Sequence, residues 1–337
     1  MLDVNEGHDL ATTKSIRVAY VVALAFVALK ALLLVGLAWR SFFVMDEFQH
    51  AGYARYFDYG LYDVLWPFKT VLWAGYYRLS HALADDSTQL MRMARMQTSA
   101  LALAMLVLVY RITRNTSRSR LCSLFAVAVV LSFSTFMERS FRIRSEPIAV
   151  VFALAAAWAV CRPRLSQWHV FAAGILSGAA FLSTQKAVYL NLALGLGLVV
   201  NALAARSTRR AAIQGAVLLG GWMLTLLIYA VAFRGADVVP VLSQVFGRPV
   251  SLLVHGGKMY PNMGGFIRQT LERNMLPYAL CGLGWILAAR HVLCEDGPSR
   301  ILWVFSAVTT ACVFNHSQPW PYVFVMVIPC IAPVSYT

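Results

Sequence analysis

A helix needs roughly 20 apolar residues to cross about 30 Å of hydrocarbon, and runs of that order recur along this whole chain. They fall near residues 18–39, 97–111, 121–137, 147–161, 168–183, 187–205, 211–233, 276–290, 301–315 and 321–336. The pattern predicts an all-α polytopic membrane protein with about ten transmembrane helices. One further apolar stretch, 70–84, is short and carries Arg78 and His81. It is expected to lie in or dip into the interface, one of the interfacial helices of a long polar loop. The other polar junctions are short, apart from two long loops at 40–96 and 234–275. No repeat or low-complexity linker divides residues 1–337, so a single domain is expected.

Composition agrees with that pattern. Hydrophobic residues make up 59% and charged residues 13%, about half the charge fraction of a soluble domain. The tail, residues 1–17, carries Asp3, Glu6 and Asp9 and lacks the basic, apolar and cleavage regions of a signal peptide. The first span is therefore expected to stay as an anchor. Lys14 and Arg17 precede it and argue for a cytoplasmic tail. Alternate crossing then puts the basic loops at 111–120, 162–164, 206–210 and 290–300 on the cytoplasmic side and both long loops on the outer face. Much of the net charge of +14 is thus a topological signal. The expected setting is a bacterial inner membrane, with the working face toward the periplasm or exterior. Membrane lipids, not nucleic acid, are the implied surroundings.

Against this background Asp46-Glu47, just past the first span, stands out. Carboxylates are rare here, 15 acidic residues in all, and none lies between Pro147 and Ala236. An acidic pair where a membrane helix meets water is a functional candidate, or else the favoured acidic start of an interfacial helix. His50 follows at helical spacing, so one face can carry Asp46, Glu47 and His50 as a metal site or as hydrogen-bonded interfacial residues. Cations also gather on the outer side against the topological bias. Arg139, Arg142 and Arg144 share one short turn with Glu138 and Glu146 at its edges, Lys186 lies in another, and Lys69 follows Trp66-Pro67-Phe68. Such a set suits phosphate oxygens; salt bridges from Arg142 to Glu138 or Glu146 are the alternative. The six cysteines show no pairing framework and the seven histidines no ligand spacing, so neither disulfides nor a metal centre are expected.

These residues resemble a known family. Asp46-Glu47-Phe48-Gln49-His50, Ala54-Arg55, Gly60-Leu61-Tyr62-Asp63 and Pro67 are similar to the first outer loop of GT-C glycosyltransferases. The protein-O-mannosyltransferase-like and aminoarabinose-transferase-like bacterial enzymes are the nearest in pattern. Arg142-Ile143-Arg144-Ser145-Glu146-Pro147, Thr184-Gln185-Lys186-Ala187, and Asn315 through Tyr322 running on to Pro329 resemble later outer turns of that family. The chain departs from it at Trp66-Pro67-Phe68-Lys69-Thr70, where members often carry Pro-Pro or Glu-Lys-Pro. Many members also continue beyond their last catalytic span, whereas Thr337 follows a span directly, which leaves a minimal or truncated form open.

The resemblance implies sugar transfer from a polyprenyl-phosphate donor to an acceptor hydroxyl on a glycan, lipid or protein. Phosphate is a good leaving group, so one general base plus cations is sufficient chemistry. The roles implied are Asp46 as base, Glu47 orienting acceptor or donor, and Arg142, Arg144, Lys186 and Lys69 on the donor phosphate. His50, His316 and Tyr322 are contacts to donor or acceptor. No cofactor is implied beyond the lipid-linked donor, though the carboxylates leave room for a divalent ion. A lipid or polyprenyl-phosphate transporter and a non-catalytic membrane subunit are the competing readings. A transporter would hold its site at the bilayer midplane between repeated halves, whereas the polar groups here collect on one face.

Overall fold

A computed structural model of the chain describes residues 4–55, 57, 72–232, 264–294, 297–316 and 320–336. Among these, helices and turns account for the ordered backbone, and no strand is present. In chain order the long elements are α1 (Val4–Arg40), α2 (Met45–Arg55), α3 (Leu72–Leu83), α4 (Ser87–Ser117) and α5 (Arg120–Ser132). They continue with α6 (Ser134–Arg139), α7 (Glu146–Val160), α8 (Gln167–Ser183), α9 (Val188–Ala204) and α10 (Thr208–Ala232). The C-terminal part holds α11 (Gly264–Arg273), α12 (Met275–Cys294), α13 (Pro298–Phe314) and the short α14 (Ile328–Ile331).

Four segments are long and apolar enough to cross a membrane: Ser15–Arg40, Ser87–Ser117, Gln185–Ala204 and Thr208–Ala232. Leucines and isoleucines along α1 and α10, such as Leu29, Leu32, Leu227 and Ile228, point outward. An apolar face left uncovered over a whole helix is what lipid contact requires. The remaining expected spans are shorter apolar helices, and two of them are interrupted. The expected span 121–137 breaks at Phe133, whose extended backbone separates α5 from α6. The expected last span, 321–336, is a 3₁₀ turn (Pro321–Met326), α14 and a second 3₁₀ turn (Val334–Tyr336) rather than one helix. Pro321, Pro329 and Pro333 explain this, since proline removes a helical donor and clashes with the preceding turn. The segment is nonetheless buried from Val323 to Ala332, so its broken backbone is shielded by protein.

Helices α8 and α10 approach closely. A Cβ added at Gly174 would overlap the Leu218 carbonyl, and one at Gly221 would overlap that of Phe171. Thr225 Oγ1 then donates to the Ile175 carbonyl at 3.2 Å across the pair. Small residues that let backbones meet are the membrane route to helix packing. Helix α3 spans 12 residues, about 18 Å at 1.5 Å per residue and too short to cross. It lies instead against α2 and the start of α4: Tyr76 Oη donates to the Gln97 carbonyl at 2.9 Å, and His81 Nε2 meets the Ala51 carbonyl at 2.8 Å. Its length agrees with the expectation that 70–84 is not a full span.

Candidate active site

Four segments far apart in sequence meet at one end of the bundle: the start of α2, the turn between α6 and α7, the turn between α8 and α9, and the residues after α13. Two polar clusters form there, and they differ in burial.

The first is closed. Glu47 has no exposed surface, nor has Arg95 on α4. Arg95 Nε donates to Glu47 Oε1 at 2.8 Å and Nη2 to Oε2 at 2.6 Å, the two-pronged geometry of a guanidinium fork on a carboxylate. Its remaining donors reach the Ser41 carbonyl at 2.6 Å and the Phe42 carbonyl at 2.6 Å. Glu47 Oε2 also accepts from Arg142 Nη1 at 2.9 Å and from the Val44 N–H at 3.0 Å, and Oε1 from the Ile143 N–H at 3.2 Å. The bond to Val44, three residues back, is the side-chain half of a capping box for α2. Burial pushes the Glu47 carboxyl up, but the bond and charge of Arg95, the Val44 N–H and Arg142 outweigh it, holding its pKa below the ordinary value of 4.5.

The second cluster opens to solvent at Asp46, while its Arg144 and Glu146 side chains are 10% and 1% exposed. The Asp46 carboxylate is 54% exposed and pairs with Arg144 Nη2. The Arg144 guanidinium lies over the Tyr322 ring, 3.7 Å from its centroid. Lys186 Nζ lies 4.6 Å from the same centroid and donates to Tyr322 Oη at 3.4 Å. Lys186 also donates to Glu146 Oε1 at 2.8 Å. Beside them, Tyr189 Oη and His316 Nδ1 share a hydrogen bond of 2.9 Å. Burial and the Lys186 charge, opposed by Glu146, hold the His316 imidazole down at about 4, so it is neutral at physiological pH. The Arg144 backbone is fixed from below by Tyr77, whose hydroxyl accepts from the Arg144 N–H at 3.2 Å and donates to its carbonyl at 3.0 Å.

The structure therefore brings Asp46, Arg144, Lys186, His316 and Tyr322 together and sorts the other expected residues differently. Arg142 is taken up by Glu47, the Phe42 carbonyl at 2.7 Å and the Glu138 carbonyl at 3.3 Å. The alternative salt bridges from Arg142 to Glu138 or Glu146 at helical spacing are corrected: its carboxylate partner is Glu47, because the 139–145 turn folds back over α2. Glu47, expected to orient a substrate, is sealed inside the closed cluster. His50 is buried; its Nδ1 donates to the Asp46 carbonyl at 2.6 Å and its ring meets Trp73 edge-on. Lys69 lies outside the described residues. Among the described residues no three His, Cys, Asp or Glu side chains converge as metal ligands would.

Sequence reading missed Arg95 and Tyr77 and left Glu146 at the edge of a turn. The available signal for Arg95 was its register with Met91, Ala94, Thr98 and Ala102, all buried along one face of α4. An arginine on such a stripe calls for a buried anion.

No protein-family model matches the sequence, and no curated protein matches it either. Solved structures do match in fold. ArnT from Cupriavidus metallidurans in the apo state superposes with a TM-score of 0.64 at 16% identity, over 97% of this chain and 59% of that one. The Archaeoglobus fulgidus oligosaccharyltransferase, solved with zinc and sulfate, gives 0.61 at 12% identity, over 92% and 48%. ArnT bound to undecaprenyl phosphate gives 0.58 at 16%, over 93% and 59%. The chain thus spans about half to three-fifths of the proteins it matches. Over most of its length the chain shares the helical fold of these ArnT and oligosaccharyltransferase structures.

Proposed function

We propose that the protein transfers a sugar from a polyprenyl-phosphate-linked donor to an acceptor hydroxyl. The observation that carries this reading is the open cluster: a half-exposed carboxylate, Asp46, beside two cations, Arg144 and Lys186, that share one tyrosine face. Two solved neighbours support the choice of donor. ArnT was solved with undecaprenyl phosphate, and the archaeal oligosaccharyltransferase AglB with dolichol-phosphate and an inhibitory peptide.

In the step we envisage, Asp46 takes the proton of the acceptor hydroxyl as that oxygen attacks the anomeric carbon. The new carbon–oxygen bond forms while the bond from the anomeric carbon to the phosphate oxygen breaks. The electron pair leaves with the polyprenyl phosphate, whose growing negative charge Arg144 and Lys186 meet. No acid is needed for this leaving group. Tyr322 positions both cations, and neutral His316, oriented by Tyr189, is a hydrogen-bonding contact for the donor. Lys69 remains a further candidate for the phosphate. Glu47 and Arg142 hold the site from within and touch no substrate.

We further propose that the chain crosses the membrane about ten times counting its short and broken spans, in a bacterial inner membrane, with the site facing the periplasm or exterior. The test of function is direct: purified protein with a polyprenyl-phosphate sugar and candidate acceptors, followed by mass spectrometry. Release of free polyprenyl phosphate together with glycosylated acceptor is expected. A protein that binds the lipid but only moves it between leaflets of a vesicle would replace this reading with transport.

A further inference from the structure

Arg144 and Lys186 both face Tyr322, and each is already neutralised by a carboxylate: Asp46 on Arg144 and Glu146 on Lys186. The cluster as it stands is balanced, two cations against two anions. A phosphate arriving at these cations therefore competes with a resident carboxylate, and the two residents are not equally displaceable. The Glu146 side chain is 1% exposed, at the N-terminus of α7, next to Ser145 Oγ at 3.4 Å. Leaving a buried carboxylate without its cation costs on the order of a hundred- to a few-thousandfold in an equilibrium. The Asp46 side chain is 54% exposed. Asp46 returns to water on release and the arriving phosphate takes its place on Arg144, whose own side chain is 10% exposed, so the exchange leaves no buried charge unpaired. The weaker hold yields.

Resting on the donor chemistry proposed above, we infer that Asp46 and a lipid phosphate compete for Arg144, while Glu146 stays on Lys186 as a fixed counterion and positioning residue. Phosphate binding at Arg144 detaches Asp46 and turns its carboxylate toward the acceptor. The base is thus engaged while the site is empty and released by the donor, so donor binds before acceptor is activated. The closed cluster next door makes this local. Glu47 and the Ile143 N–H are bonded at 3.2 Å, so the chain on either side of Asp46 and Arg144 stays in place while the open pair separates.

The experiment is equilibrium binding of undecaprenyl phosphate, without sugar, to the purified full chain in detergent micelles. Asp46→Asn removes the competitor, and Asp46→Ser does so with a smaller side chain in case the amide finds a new partner. Asp85→Asn removes the same formal charge from an exposed position before α4 that has no contact with Arg144. Both Asp46 variants are expected to bind about 5- to 100-fold tighter than wild type, between the ranges of an exposed and a buried ion pair, with Asp85→Asn unchanged. Equal or weaker binding in both Asp46 variants would overturn the competition, as would an equal gain in Asp85→Asn, which is a bulk charge effect. Absence of binding in every arm, wild type included, would instead remove the donor reading on which the inference rests.

Discussion

Asp46 and Glu47 are neighbours in sequence with the same chemistry, and they occupy opposite environments. Glu47 is sealed, bonded to two arginines and two backbone N–H groups, and it ties α1, α2, α4 and the 139–145 turn together. Asp46 is half in water and holds one arginine. A carboxylate saturated with donors in a closed space is a structural anchor, because nothing can replace those donors without leaving a buried charge. A carboxylate with open surface and one partner can exchange that partner. One cluster holds still so that the other can change.

The largest effect should come from breaking the closed cluster. Arg95→Met leaves Glu47 buried with much of its compensation gone, and breaking such a pair costs about 3–5 kcal/mol. Thermal unfolding in detergent should show a large fall in midpoint. An unchanged midpoint would mean Glu47 is not the anchor described here.

The same cluster carries a pH signature. Glu47 has a folded pKa below its ordinary value of 4.5. Its stabilisation is therefore fully present above about that value and lost as pH falls through the lower folded value. Wild type should lose stability on acidification below pH 4.5, and Glu47→Gln should start less stable but respond less steeply there. Parallel acid profiles for the two proteins would contradict the sign of that shift.

Arginine-to-lysine changes separate the two regions further. Arg144→Lys keeps charge but loses the planar fork, and hydrogen bonds to charged groups contribute about 1.5–3 kcal/mol each. Affinity for polyprenyl phosphate should fall roughly 10- to 100-fold with little change in unfolding midpoint. Arg142→Lys should do the reverse, lowering the midpoint while affinity stays near wild type. Matching behaviour in both would erase the distinction between the clusters.

Much of the site was legible beforehand, for physical reasons that also mark the limit. Lys186, Arg144 and His316 stood out because polar groups are scarce in an apolar chain and these interrupt it where spans meet water. Hydropathy also located α1, α4, α9 and α10, whose lipid-facing sides need continuous apolar surface. It could not tell Asp46 from Glu47. That difference arises from Arg95, 48 residues away, and from a turn nearly 100 residues away that folds over α2. Pairings at such separation leave no local periodicity. The breaks in the last expected span were not legible for a related reason: burial, not helical continuity, lets Pro329 and Pro333 sit in so apolar a segment.

The measurement that bears most directly on the central claim is sugar transfer by Asp46→Asn, with donor binding and unfolding followed on the same preparation. The amide is nearly isosteric and takes no proton at neutral pH, so transfer should fall by about 10²–10⁴-fold, the usual range for a lost general base. Donor should still bind, and any fall in unfolding midpoint should be smaller than that of Arg95→Met, because Asp46 is half exposed where Glu47 is sealed. Turnover near wild type in Asp46→Asn would contradict the claim that the open carboxylate is the base.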